Sequence, residues 1–249
     1  MTKRFAVVYE AAADFRTATE LADRVLVEVT DDWLDEDQLP YQREWIGTVP
    51  VEQGLTWKNI KQLAGAARIR PHHGHFNGEP GFPDAAAARR AIDYLLATQP
   101  QLDAVVLIRD RDDQPDRRKG LEQARDQDTS GLPIIIGLAV VEREAWAVCG
   151  FDPQNDEETA RLDAERTRLG FQPHENSHEL TAGKDDTATR SPKRVLRVLS
   201  GDDLHRERRC WAETPLDRLR ERGGENGLAA YLQEVRERLA PLIGHVAEG

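Results

Sequence analysis

Six carboxylates in three pairs are the residues of this sequence best suited to chemistry. Glu10 and Asp14, Asp110 and Asp112, and Glu142 and Glu144 each follow a short apolar run: Phe5 to Tyr9, Ala104 to Ile108, and Leu132 to Val141. Crowded carboxylates repel one another unless a cation neutralises them. A hard cation such as Mg²⁺ takes oxygen ligands and keeps several waters. Two such ions can stabilise the attacking and leaving oxygens of a phosphodiester displacement. If the three runs are neighbouring strands of one parallel sheet, the carboxylates converge outside the strands' carboxyl ends, where such sheets bind ligands. Taken singly, Asp14 reads as a first-turn helix acid, Asp110 and Asp112 as loop residues, and Glu142 and Glu144 as a solvated face. Their recurrence at three successive strand ends is what points to metal. The expected cofactor is Mg²⁺ or Mn²⁺, as two ions: one held by Glu10 and Asp14, the other by Asp110 and Asp112, with Glu142 and Glu144 as further ligands.

The elements that must position these residues follow from hydrophobic spacing. Asp14 to Val29 has helical periodicity through Phe15, Ala18, Leu21, Ala22, Val25 and Leu26. Asp84 to Ala97 repeats it through Ala87, Ala88, Ala91, Ile92, Leu95 and Leu96. Strands are expected at 5–9, 104–109 and 133–140. A polar helix is expected at Pro115 to Gln127, and the order strand, helix, strand, helix, strand implies an α/β domain with a mostly parallel sheet covered by helices. Residues 1–150 form that domain, with an insertion at about 30–83 that carries Trp33, Trp45 and Trp57. Residues 151–249 read as a helical C-terminal layer, with helices at Asn155 to Leu169, Lys193 to Leu199, Pro215 to Arg222 and Leu228 to Ile243.

Composition narrows the class. The 249 residues carry 45 Asp+Glu against 34 Lys+Arg, a formal net charge of -11, which disfavours non-specific binding to a polyanion. Two cysteines cannot build a dense disulfide framework. The apolar run near the N-terminus is too short for a signal peptide, and no stretch approaches the roughly 20 apolar residues of a membrane span. A cytoplasmic protein with no membrane association is expected.

An apolar strand ending in Glu, with Asp four residues on, followed by an apolar strand ending in Asp-x-Asp, resembles the Toprim pattern. Here it reads Val7-Val8-Tyr9-Glu10 to Asp14 and Val105 to Ile108-Arg109-Asp110-Arg111-Asp112. The segment Gly137 to Trp146, with Glu144-Ala145-Trp146, is similar to small standalone Toprim-like proteins related to OLD-family nucleases and encoded beside ATPases in bacterial defence loci. The tail, Lys193 to Leu196 and Gly227 to Leu242, is similar to the same group. Ala11 stands where such proteins often have glycine. The resemblance implies a Toprim-like Rossmann-type fold and a metal-dependent nuclease that serves as effector of an antiviral system. Glu10, Asp110, Asp112 and a late basic residue would be catalytic. Lys193 is the candidate for that residue and Lys184 the second. An ATPase is the implied partner, consistent with the lack of any G-x-x-x-x-G-K-[ST] phosphate loop. Nucleic acid, DNA or RNA, is the expected substrate, and a homo-oligomer is open. The alternative is a non-catalytic Toprim-like subunit that regulates an ATPase.

Three features are secondary. Arg109, Arg111 and Arg194 could grip substrate phosphate, because guanidinium binds phosphate bidentately. His72, His73 and His75 lack the spacing of a zinc site and read as a polar loop, although one of them could contact phosphate. The stripe Leu228, Leu232, Val235, Leu239 and Leu242 could dock a partner or pack on its own sheet.

Overall fold

The computed structural model describes residues 2–30, 34–47, 54–72, 74–181 and 185–244. Trp33, His73 and Lys184 lie outside them. The chain forms two compact units built from interleaved segments. Residues 1–109, 114–137 and 233–249 make the first, and residues 110–113 and 138–232 the second. The Asp-x-Asp turn thus groups with the later helices.

The first unit is an α/β fold around a four-stranded parallel sheet, as the alternating pattern predicts. Strand β1 (Lys3–Val8) is central. It leads through Glu10 into helix α1 (Ala12–Val29), which buries Ala18, Leu21, Ala22, Val25 and Leu26. A short helix α2 (Leu39–Gln42) runs into β2 (Arg43–Ile46), which pairs parallel with β1. After helix α3 (Ile60–Ala66) and the hairpin β3 (His75–Phe76) and β4 (Glu79–Pro80) comes helix α4 (Ala85–Thr98). Strand β5 (Ala104–Asp110) is the other parallel neighbour of β1, in register from Phe5↔Ala104 to Val8↔Leu107. Helix α5 (Arg117–Asp126) precedes β6 (Ile134–Ala139), giving the sheet order β2-β1-β5-β6.

The 30–83 stretch is therefore more than a spacer, because it supplies an edge strand. Arg43 and Trp45 explain why β2 carries no strand signal in the sequence. A four-residue edge strand exposed on one side has no apolar run, and side chains hold it instead. Arg43 makes a two-pronged ion pair with Asp23 on α1, and the Trp45 indole N–H donates to the same carboxylate at 3.0 Å. The Trp45 ring packs on Phe5, with centroids 5.4 Å apart. Burial pushes the Asp23 carboxyl up despite the opposing pull of Arg43.

Close approach fixes where α5 lies. A Cβ on Gly120 would collide with the carbonyl oxygen of Pro83, just before α4, so only glycine lets those backbones meet. The final segment of the first unit bends from a π-helical turn at Val235–Leu239 into a 3₁₀ turn at Ala240–Leu242. Val235 and Leu239 are fully buried there, and the π-helical turn packs against α1.

The second unit is helical. Helix α6 (Arg143–Cys149) is its centre, with α8 (Pro192–Ser200) and α9 (Leu204–Ala212) packed against it. Helix α7 (Asp156–Leu169) packs on α8, and α10 (Leu216–Arg222) and α11 (Leu228–Glu234) complete the unit. Capping residues set several starts. The Asn155 side chain accepts from the Glu158 N–H, Ser191 from Arg194 and Asp203 from His205. Buried Trp146 stacks on Tyr231 at 5.3 Å and 14°, and its N–H donates to the Asn226 carbonyl. Leu228 and Leu232 are also buried. With Val235 and Leu239 these are core residues, so four of the five positions of the leucine stripe are enclosed within the chain, and Leu242 is half-buried. No described helix is long and apolar enough to cross a membrane.

Candidate functional site

Local chain geometry gathers Asp110, Asp112, Glu142, Glu144 and Lys193 within the second unit. Strand β5 ends at Asp110, whose Oδ1 accepts the Arg143 backbone N–H at 2.8 Å. That bond tethers the first turn of α6 to the Asp-x-Asp turn. Two residues on, Asp112 sits in the left-handed region at φ +48°, a conformation aspartate tolerates better than most residues. Its N–H donates to the Val141 carbonyl at 3.0 Å. Glu142 is the extended residue that precedes α6, at φ −138° and ψ 162°, and Glu144 lies in the helix's first turn. The two glutamates therefore leave the backbone from different conformations.

Glu142, Glu144, Asp112 and Lys193 act on one another electrostatically. Glu142 is only 7% exposed. Burial pushes its carboxyl up to about 7. The Lys193 ammonium pulls it back, while the Glu144, Asp112 and Asp186 carboxylates add to the rise. Lys193 Nζ lies 3.8 Å from Glu142 and 3.2 Å from Asp186. Burial lowers the Lys193 pKa, but Asp186, Glu142 and Glu144 outweigh it, so the group is held above its ordinary value. The Arg143 side chain turns to Glu144 at 2.8 Å and lies over Trp211. Glu207 on α9 is raised as well, first by burial and then by Glu144 and Asp202, with Arg143 opposing.

Asp186, Arg143 and Glu207 were not singled out from the sequence. Arg143 was visible between the two glutamates, where it reads as an ordinary surface residue. Asp186 lies in a turn-rich stretch seven residues before Lys193, with no periodicity to mark it. Glu207 lies on α9, whose run Leu204-His205-Arg206-Glu207-Arg208-Arg209 is too polar to announce a buried face.

Several of the remaining candidates already have partners. Glu10 and Asp14 belong to the first unit. Asp14 is buried and accepts the Ala11 N–H at 2.8 Å, one half of a capping box at the start of α1. Glu10 is ion-paired at 2.6 Å with Arg109. Arg109 also reaches Asp84 at 3.0 Å and lies over the Trp57 ring, so this guanidinium is held within the protein. Arg194 is buried, with both prongs on Glu165 and a further bond to the Thr189 carbonyl. As a substrate-gripping residue it is therefore corrected: its fork is filled by a structural partner. Arg111 differs. It is half-buried, and its Nε is enclosed with no hydrogen-bond partner. His75 lies exposed in β3.

The donor set of Asp110, Asp112, Glu142 and Glu144 is all carboxylate oxygen, the chemistry of a hard cation. Among the described residues, however, no three His, Cys, Asp or Glu side chains already stand as a ligand shell. Among them stand two cations, Lys193 beside Glu142 and Arg143 beside Glu144.

Glu142 gives a pH-dependent expectation. A carboxyl whose folded pKa exceeds its unfolded value favours the fold when protonated. That contribution is complete below about 4.5, the ordinary glutamate value, and is lost as pH rises through about 7. Glu142→Gln removes the buried negative charge. In chelator-treated protein it should raise stability at pH 8 by about 1–3 kcal/mol, with the gain largely gone at pH 5. Thermal melts of both proteins at the two pH values check this, and an equal effect at both would refute it.

Compared with known proteins, the chain matches no family model, no curated protein and no solved structure. The Toprim likeness thus rests on the motif residues themselves.

Proposed function

We propose that the second unit's carboxylate cluster binds Mg²⁺ or Mn²⁺ and hydrolyses phosphodiester bonds of nucleic acid, as the Toprim-like motifs imply. The geometry that supports this reading is the tether of Asp110 to the first turn of α6, which carries Glu144 just after Glu142, with Lys193 Nζ 3.8 Å from Glu142. Burial is the first cause of the raised Glu142 pKa; Lys193 opposes it, and the Glu144, Asp112 and Asp186 carboxylates add their repulsion. A divalent ion would relieve that repulsion. Bound there, it would polarise a phosphoryl oxygen and acidify a water.

The chain's own groups have definable tasks. Asp110, Asp112 and Glu144 would hold the ion, which requires the Arg143–Glu144 pair to open. Glu142, close to neutrality, is suited to accept and return a proton at physiological pH. Displaced from the carboxylates by the ion, Lys193 would turn its ammonium to a non-bridging phosphate oxygen. Arg111, half-buried just after Asp110, would turn the outer nitrogens of its guanidinium to the same group. The net charge of -11 keeps intrinsic affinity for a polyanion low, so a partner, on the family likeness an ATPase, would deliver substrate and set the rate.

Two measurements on the purified chain test the proposal together. Mn²⁺ binding is followed by electron paramagnetic resonance. Cleavage of supercoiled plasmid and of bulk tRNA is assayed at low salt with Mg²⁺ or Mn²⁺, with and without excess EDTA. Stoichiometric Mn²⁺ binding and EDTA-sensitive cleavage are expected. Absence of Mn²⁺ binding at millimolar concentration would overturn the proposal and leave the non-catalytic subunit as the reading of the fold.

A further inference from the structure

A cleft of about 530 Å³ in the first unit, lined by Arg68, Ile69, Arg70, Pro71, His72 and Asp93, has no task in the proposed chemistry. Most arginines elsewhere in this acidic chain face a carboxylate, but Arg68 and Arg70 are exposed and have no ion-pair partner among the described residues. The backbone sets them there. After α3 the chain turns through Arg68 in the left-handed conformation, φ +57°, and the Ile69 N–H caps the helix by donating to the Ala64 carbonyl at 2.9 Å. Residues 68–72 then form one wall of the cleft and Asp93 on α4 lines another side.

His72 is fixed more firmly than a loop histidine needs to be. Its Nε2 lies 2.9 Å from Asp93 Oδ2, and Asp93 is anchored by Arg89 at 2.8 Å. The imidazole is stacked on buried Phe76, with centroids 6.1 Å apart and planes 18° from parallel. With Nε2–H committed to Asp93, Nδ1 is the nitrogen left to meet a ligand, and it donates to an anion when the ring is an imidazolium.

We propose that this cleft binds a phosphate group, gripped by the Arg68 and Arg70 guanidiniums and by the His72 imidazole, with Ile69 and Pro71 as its apolar floor. Guanidinium forks match phosphate oxygens bidentately, and an imidazole oriented by a carboxylate adds a directed contact. The phosphate could belong to a nucleic-acid strand or be free in solution. The proposal is independent of the metal reading, because no group in the cleft belongs to the carboxylate cluster.

The test uses the full chain in EDTA, so that no metal-dependent step contributes. Binding of a fluorescein-labelled single-stranded 20-mer is followed by anisotropy, and binding of inorganic phosphate by calorimetry. Wild type is compared with the Arg68→Gln/Arg70→Gln double variant and with His72→Gln. Both arginines are exposed, so the double variant should melt within a few degrees of wild type. Affinity should fall at least about tenfold in the double variant. For the oligonucleotide, the salt dependence should weaken by one to two phosphate contacts. Loss confined to the oligonucleotide identifies a strand as the source, and loss for inorganic phosphate identifies a free anion. Binding unchanged in the variants, or no binding of either probe to wild type, overturns the proposal.

Discussion

Asp112→Asn is expected to reduce metal-dependent cleavage by on the order of 100-fold or more, at least what loss of a group outside the ligand shell costs a metal enzyme. Asparagine is the informative replacement. Asp112 occupies the left-handed region at φ +48°, which asparagine also tolerates and alanine does not, so Asp112→Ala would mix backbone strain with lost chemistry. The Asp112 N–H bond to Val141 survives the change. Fold stability should hold or rise, since one of the carboxylates that raise Glu142 is gone. The Glu142 pKa should accordingly fall, which carbon-detected NMR of the glutamate carboxyls would follow. Cleavage rates and that titration together separate a ligand from a bystander. Full activity in Asp112→Asn, or in excess EDTA, would remove the metal mechanism.

Arg206→Ala should be the most damaging single change to the second unit, at about 3–5 kcal/mol, because it strands a buried charge. Arg206 and Glu158 are both about 5% exposed and meet in two parallel bonds of 2.8 and 2.9 Å. Arg206 also donates to the Asp152 carbonyl at 2.7 Å and lies over Phe151 at 4.4 Å. The Arg206 hydrogen bond, against opposing burial, holds the Glu158 carboxyl below its usual range. A depressed carboxyl stabilises above its unfolded pKa, about 4.5, and that contribution is lost as pH falls through the lower folded value. The deficit in Arg206→Ala should therefore be full at pH 7 and shrink in acid below about pH 4. Replacing both partners, Glu158→Leu with Arg206→Met, should recover much of the loss, because no unpaired charge remains. Urea unfolding of wild type and the two variants at pH 7 and pH 4 checks this. A deficit of under about 1 kcal/mol in the single variant would show that the pair is solvated in solution.

How far the sequence could be read depended on whether a feature was local. The three apolar runs became β1, β5 and β6 within a residue or two, because a buried parallel strand is a continuous apolar run that needs no context. Helices α1 and α4 were legible from their periodic faces, and Asp14 from its place in a first turn. The adjacency of β1 and β5 follows from the α/β alternation. Edge strand β2 was not legible, since Arg43 and Trp45 hold it through Asp23, twenty residues away. Helix α9 was hidden because its buried members include Arg206, which is apolar only in company with Phe151 and Glu158.

The site divides in the same way. Spacing alone nominated Asp110, Asp112, Glu142 and Glu144, since residue type and position after a strand are properties of the chain. Charge state is a property of the surroundings. That Arg194 is spent on Glu165, that Arg109 is taken by Glu10 and Asp84, that Lys193 and Asp186 bracket Glu142, and that Arg68 and Arg70 remain unclaimed beside His72 all depend on which groups the fold brings within about 4 Å. Coulomb and desolvation energies are decided at that distance, and no local pattern of residues encodes it.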